Sequence, residues 1–150
     1  MTRFMSPRFL LALGLVAALS IAVVGQQRSA ATSMTTAATS FLASLTPEQR
    51  QQATFAFDSA ERVRWHFVPQ FERNRLQIKA MTEPQRKLAF ELLKTGLSAR
   101  GYDTYTKIMQ LENILRDVEK GSGPTRDPEG YRFSVFGTPS AKGAWGWRVE

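Results

Sequence analysis

The chain has no cysteine and a single histidine, His66, in 150 residues. The first absence excludes disulfides, thiolate metal sites, a cysteine nucleophile and a lipidated N-terminal cysteine. The second excludes a zinc centre built from two or three imidazoles of this chain. A Ser-His-Asp triad would have to use His66, and nothing near it resembles a nucleophile elbow. Dense runs of one charge are also missing. Lys and Arg number 20 against 13 Asp and Glu, a formal charge of +7. The cations are scattered, as in Arg62, Arg64, Arg73, Arg75, Lys79, Arg86, Lys87 and Lys94. That is the pattern of a solvated basic surface, so no nucleic-acid partner is expected. A phosphate loop is absent as well: it needs Gly-Lys-Ser/Thr opening a helix, whereas here Lys142 precedes Gly143 and a strand follows. No reaction, cofactor or metal site can be named from these residues.

What is present begins with one long apolar run. Phe9 to Val24 is sixteen residues without a charge, preceded by Arg3 and Arg8. A full membrane span needs about 20 residues; a basic leader followed by a shorter apolar run is the pattern of a secretory signal. Cleavage after Gly25 is expected, with cleavage near Ala30 or Ala31, or an uncleaved anchor, as the alternatives. Removing Arg3 and Arg8 would bring the formal charge from +7 to +5. The mature protein is therefore expected outside the cytoplasm, secreted or periplasmic, touching the membrane only through the signal segment. Residues 26–40, rich in Ala, Ser and Thr, read as a linker whose last part joins a helix. Residues 41–150 then form one domain, consistent with 43% hydrophobic and 22% charged residues.

Within that domain two helix starts stand out. Thr46-Pro47-Glu48-Gln49 and Thr82-Glu83-Pro84-Gln85 each offer a capping threonine, an early proline and a glutamine that can close a capping box. The first helix is expected to run to Phe57 with Ala53 inward. The second carries Leu88, Leu92, Leu93 and Leu97 on one face and should stop near Gly101 in a left-handed cap. A third helix from about Asp103 to Gly121 shows a broad apolar face of Tyr105, Ile108, Met109, Leu111, Leu115 and Val118. Glu112 beside that face reads either as a carboxylate with a raised pKa or as the flank of the stripe paired with a nearby cation; the spacing favours the second. Between the first two helices, Arg62 to Pro69 alternates enough for a short strand, and Gln70 to Ala80 reads as a loop with Leu76 and Ile78 buried.

Gly121 to Gly130 has linker composition. After it Tyr131, Phe133 and Val135 share one strand face, and Trp145, Trp147 and Val149 share another, joined by Gly137 to Gly143. This predicts an antiparallel hairpin with its aromatic face on the helices. The fold class is thus α+β: N-terminal helices followed by the start of an antiparallel β-sheet, preceded by a signal peptide. An unpaired outer strand carrying Trp145 and Trp147 predicts self-association through that edge.

GLSARGY (residues 96–102), IMQLE (residues 108–112) and FSVFGTPSAKGAWGWRVE (residues 133–150) together resemble the domain-of-unknown-function family 3500, DUF3500, over residues 45–150. The resemblance implies a mostly bacterial, commonly exported protein with no established biochemical activity and no catalytic residues to carry over. Members look longer than this chain, so an N-terminal fragment of a longer member is expected.

Three functional readings follow. In a secreted hydrolase with its site mostly beyond residue 150, His66, Arg100, Tyr102, Arg132, Lys142 and Arg148 would line an anion-accepting cleft, with Trp145 and Trp147 stacking on a flat ligand. In a non-catalytic extracytoplasmic binding module the same groups would hold a carbohydrate or peptide. In the third reading these side chains hold the helices to the sheet. His66 reads as a base or ligand near neutrality, or as a half-buried neighbour of Trp65; a lone histidine favours the second.

Overall fold

The computed structural model describes residues 30–65 and 75–150. The expected signal segment of residues 1–25, His66 and the stretch from Phe67 to Pro69 lie outside the described residues. Helix α1 occupies residues 30–44, so the part of the Ala/Ser/Thr-rich stretch from residue 30 onward is helical. Alanine favours helix, and Ala38, Phe41 and Leu45 are buried.

Helix α2 (Pro47–Ala53) and helix α3 (Glu83–Thr95) begin at the two expected capping boxes. The Gln49 N–H donates to Thr46 Oγ1 at 3.2 Å and the Thr46 N–H donates to Gln49 Oε1 at 3.0 Å; the Thr82 N–H donates to Gln85 Oε1 at 2.8 Å. The two boxes also meet in space. Gln85 Nε2 donates to Gln49 Oε1 and to the Ser44 carbonyl, both at 2.8 Å, while Gln49 Nε2 donates to the Ala80 carbonyl at 2.7 Å. Glutamines chosen for local capping thereby pin two helix starts to each other, and Gln85 is buried.

Helix α2 stops at Ala53, earlier than Phe57, because the next two residues form strand β1 (Thr54–Phe55). A β-branched and an aromatic residue suit that pairing. Of the strand expected from Arg62 to Pro69, the described residues 62–65 are not a strand. Residues Ala60–Val63 form a 3-10 turn started by Ser59, whose Oγ accepts from the Glu61 N–H at 3.2 Å, and Val63 and Trp65 are 73% and 61% exposed. Strand β2 (Leu76–Gln77) and a 3-10 turn over Ile78–Ala80 replace the expected loop, with Leu76 and Ile78 buried as anticipated.

Helix α4 (Ala99–Glu119) starts almost at once after α3. Ser98 Oγ accepts from the Gly101 N–H at 3.1 Å, so Gly101 lies inside α4 instead of capping α3, and Leu97 falls between the helices, 37% exposed. The end of α4 is as expected, with Lys120 and Gly121 at positive φ. Its apolar face is another correction: Met109 is buried, but Ile108, Leu111 and Val118 are exposed.

Strand β3 (Arg132–Phe136) is the centre of a small mixed sheet. β1 lies parallel to it (Phe55 opposite Phe136), β2 antiparallel (Leu76 opposite Phe133), and strand β4 (Gly146–Val149) antiparallel, with Val135 opposite Trp147 and Phe133 opposite Val149. The antiparallel hairpin and its shared aromatic face are therefore as predicted and the α+β class holds, while the parallel pairing of β1 makes the sheet mixed where an antiparallel one was expected. β1 and β2 take successive lengths of one side of β3, and β4 takes the other. Phe133 joins the sheet to the helices, its ring 5.8 Å from Phe41 of α1 and 6.2 Å from Phe90 of α3. Burying each such ring contributes about 1.5–3 kcal/mol.

Candidate functional site

Strand alternation separates the candidate residues into two faces. Phe133, Val135, Trp147 and Val149 point at the helices; Arg132, Ser134, Arg148 and Glu150 point the other way. Of the groups expected to form one anion-accepting cleft, the structure brings Arg132 and Arg148 together. Arg75 joins them, a residue for which the sequence offered no signal beyond its place beside a buried Leu76. The face also holds carboxylates. Arg75 pairs with Glu61 and with Glu150. Arg148 lies 3.3 Å from Glu61 and 3.2 Å from Glu150, and Arg148 Nη1 donates to the carbonyls of Glu61 and Arg62 at 3.0 and 3.1 Å. Burial, followed by the neighbouring Arg148 and Arg132, pulls the Arg75 guanidinium down to about 10, still charged at neutral pH. Chemically this is an ion network that clamps the 60–63 turn onto the sheet.

The tryptophans are structural neighbours of the core. Trp147 passes over Gly96, where a Cβ would stand 2.6 Å from its Cζ2. Trp145 Nε1 donates to the Ser140 carbonyl at 2.9 Å. Lys142 is exposed in the hairpin connection, its N–H donating to Ser140 Oγ at 3.3 Å. Arg100 is exposed in the first turn of α4. Glu112 flanks α4 and faces Arg126 at 3.7 Å, as its spacing suggested.

Tyr102 lies elsewhere, in a groove of about 510 Å³ between α3, α4 and residues 128–129. Its apolar lining is Ile78, Phe90, Tyr102 and Met109. The α3 heptad spacing places Glu83, Lys87, Phe90, Glu91 and Lys94 along one side. Phe90 meets Tyr102 edge-on at 6.4 Å and 87°, and Lys94 Nζ stands 5.2 Å over the Tyr102 ring. The Glu91 carboxylate, at 2.8 Å, raises the Lys94 pKa through its hydrogen bond. Arg86 is held by Glu129 at 2.5 Å. The groove thus offers an aromatic and thioether lining under a rim of both charges, open to solvent. The sequence reading found Tyr102 but missed Phe90, Lys87 and Lys94. A signal was present, because these three lie three, four and seven residues apart, but the reading of α3 rested on the stripe of Leu88, Leu92, Leu93 and Leu97 and did not single them out.

Among the described residues no group of three or more His, Asp or Glu could hold a metal ion, and no helix is long and apolar enough to cross a membrane. No curated protein and no solved structure matches the chain. The family described as protein of unknown function (DUF3500) matches residues 27–150, in line with the three motifs above, and the chain belongs to that family.

Proposed function

We propose that this is an exported, non-catalytic binding module whose ligand site is the groove between α3 and α4. The observation that carries the reading is the division of labour between the two faces. The arginines of the sheet are engaged by Glu61, Glu150 and backbone carbonyls, while the groove leaves Phe90, Tyr102 and Met109 lining about 510 Å³ of solvent-open space. Pockets that bind small molecules combine such an apolar lining with a few placed charges. The ligand class that fits is a small amphipathic molecule: a flat apolar body against Phe90 and Tyr102, and an acidic group met by Lys87 or Lys94.

A fluorescent anilinonaphthalene sulfonate dye has that chemistry. Titration is expected to show one saturable site, weakened about tenfold or more in Tyr102→Ala and in the double variant Lys87→Glu, Lys94→Glu. Equal affinity in all three proteins would contradict the reading. Export is tested separately. N-terminal sequencing of protein recovered from outside the cytoplasm should begin at Gln26, and full-length protein retained in the cytoplasm would oppose it.

Self-association through the outer edge of β4 is a second element of the proposal. Arg132 and Glu150 exchange both backbone bonds, at 2.8 and 3.2 Å, so the N–H groups of Trp147 and Val149 point away from β3. An edge of that kind can accept another strand. Val149→Pro removes one outward donor and is expected to reduce association by this route without uncoupling β4 from β3; unchanged association would exclude it.

A further inference from the structure

Val63 and Trp65 are 73% and 61% exposed, and outside α4 no large apolar side chain among the described residues is as open to water. Single exposed apolar groups are ordinary. Here two stand within four consecutive exposed residues, Arg62-Val63-Arg64-Trp65, that alternate cation and apolar group. The backbone beneath them is held. Arg148 Nη1 donates to the carbonyls of Glu61 and Arg62, and Arg75 Nη2 donates to the carbonyl of Arg64 at 3.2 Å. The Glu61 carboxylate pairs with Arg75 and Arg148. The sheet therefore fixes this segment through its main chain and through Glu61, and leaves the four following side chains outside.

The charge of the region is positive. Outward it carries Arg62 and Arg64 against Asp58, the nearest exposed acid along the chain. The Arg62 guanidinium stands 4.4 Å over the Phe57 ring, which orients it without neutralising it. Behind the segment three cations, Arg75, Arg132 and Arg148, share a face with two carboxylates, Glu61 and Glu150. In the sequence that follows, residues 66–74 add one acid and one base, Glu72 and Arg73, and so leave the sign unchanged. The partner that fits is therefore anionic and has an apolar layer beneath its charge.

We infer that residues 62–65 are a docking tip for anionic lipid bilayers. Tryptophan rings settle at the headgroup level, cations near the surface are drawn to anionic lipids, and Val63 reaches toward the acyl boundary as the apolar face of an interfacial segment does. A protein partner would engage roughly 20–30 residues a side, whereas four side chains protrude here. A nucleic acid would use the cations and Trp65 but offers nothing to Val63. This contact goes beyond the one expected through the signal segment. It is also separate from the ligand groove: the arginines that hold the tip point away from the helices, so the groove between α3 and α4 stays open to solvent while the tip is seated.

The absence of cysteine makes the test direct. Val63→Cys, Leu111→Cys and Lys142→Cys each give the full chain one thiol, at an exposed position, for an environment-sensitive nitrobenzoxadiazole label. The apolar run of residues 9–24 can carry any of the three to a vesicle, so the readout is which label enters the bilayer. With vesicles of equal parts phosphatidylglycerol and phosphatidylcholine, the label at Val63→Cys should brighten and shift to the blue, while those at Leu111→Cys and Lys142→Cys stay unchanged. Phosphatidylcholine alone should leave all three unchanged. Adding Arg64→Glu to the Val63→Cys protein should raise the lipid concentration at half-response about tenfold or more, and Trp65→Ser should raise it too. Equal brightening at all three positions would overturn the inference, as would a response at Val63→Cys that is as strong on phosphatidylcholine alone or indifferent to Arg64→Glu. Brightening at Leu111→Cys in its place, or a response to single-stranded DNA and not to vesicles, would overturn it as well.

Discussion

Gly96 shows how one missing side chain shapes this protein. Its φ of −101° is ordinary backbone, so the requirement is space and not conformation: Trp147 fills the position a Cβ would take. Gly96→Ala is therefore expected to destabilise by about 1–3 kcal/mol, the usual cost of overpacking, measured by urea denaturation. Trp147→Phe in the same protein should recover part of that loss, because the two residues share one contact. Gln85 makes a complementary point. Its amide joins α3 to Gln49 and to the Ser44 carbonyl in a buried place. Gln85→Leu should cost about 1–3 kcal/mol, since buried polar partners are left unsatisfied. The capping role of Gln85 was legible, because capping is a matter of residues three apart. Its contact with Gln49, 36 residues away, was not, because nothing in either box specifies that the helix starts meet. The candidate site divides the same way. Tyr102 was visible as an aromatic beside Arg100, whereas Arg75 gained its place only when β2 set it beside β3.

At the scale of elements, the hairpin of β3 and β4 was the most readable part, since two alternating runs around a turn show both the antiparallel pairing and the face that is buried. Strands β1 and β2 were unreadable because two residues carry no period; they exist by pairing with β3. Periodicity also revealed the apolar surface of α4 without saying which side would meet the core. The connection after α4 is tied down more firmly than its Gly-rich composition suggested. Arg126 donates to both carboxylate oxygens of Glu119 at 2.9 and 2.7 Å, and Lys79 reaches Asp127 at 3.1 Å. The hydrogen bond from Arg126 holds the Glu119 carboxyl below its ordinary pKa. A carboxylate depressed in the folded state stabilises fully above its unfolded pKa, and that contribution disappears as pH falls through the folded value. Melting temperature should thus fall as pH drops through the carboxylate range. Arg126→Gln should melt lower at neutral pH and lose less on acidification; an acid dependence identical to the parent would show that this pair does not hold the connection.

For the whole molecule, the mixed sheet acts as a partition. One face closes a core with the helices through Phe133, and the other carries an arginine–carboxylate network that fastens the 60–63 turn. Ligand binding is then expected on the outer surface of the helical layer, at the groove between α3 and α4. The claim on which the account rests is the location of the ligand site. Backbone amide shifts followed by two-dimensional NMR during dye titration test it most directly. The account predicts saturable shifts concentrated at residues 83–94 of α3 and 102–110 of α4; shifts centred instead on Arg75, Arg132 and Arg148, with the groove silent, would contradict it.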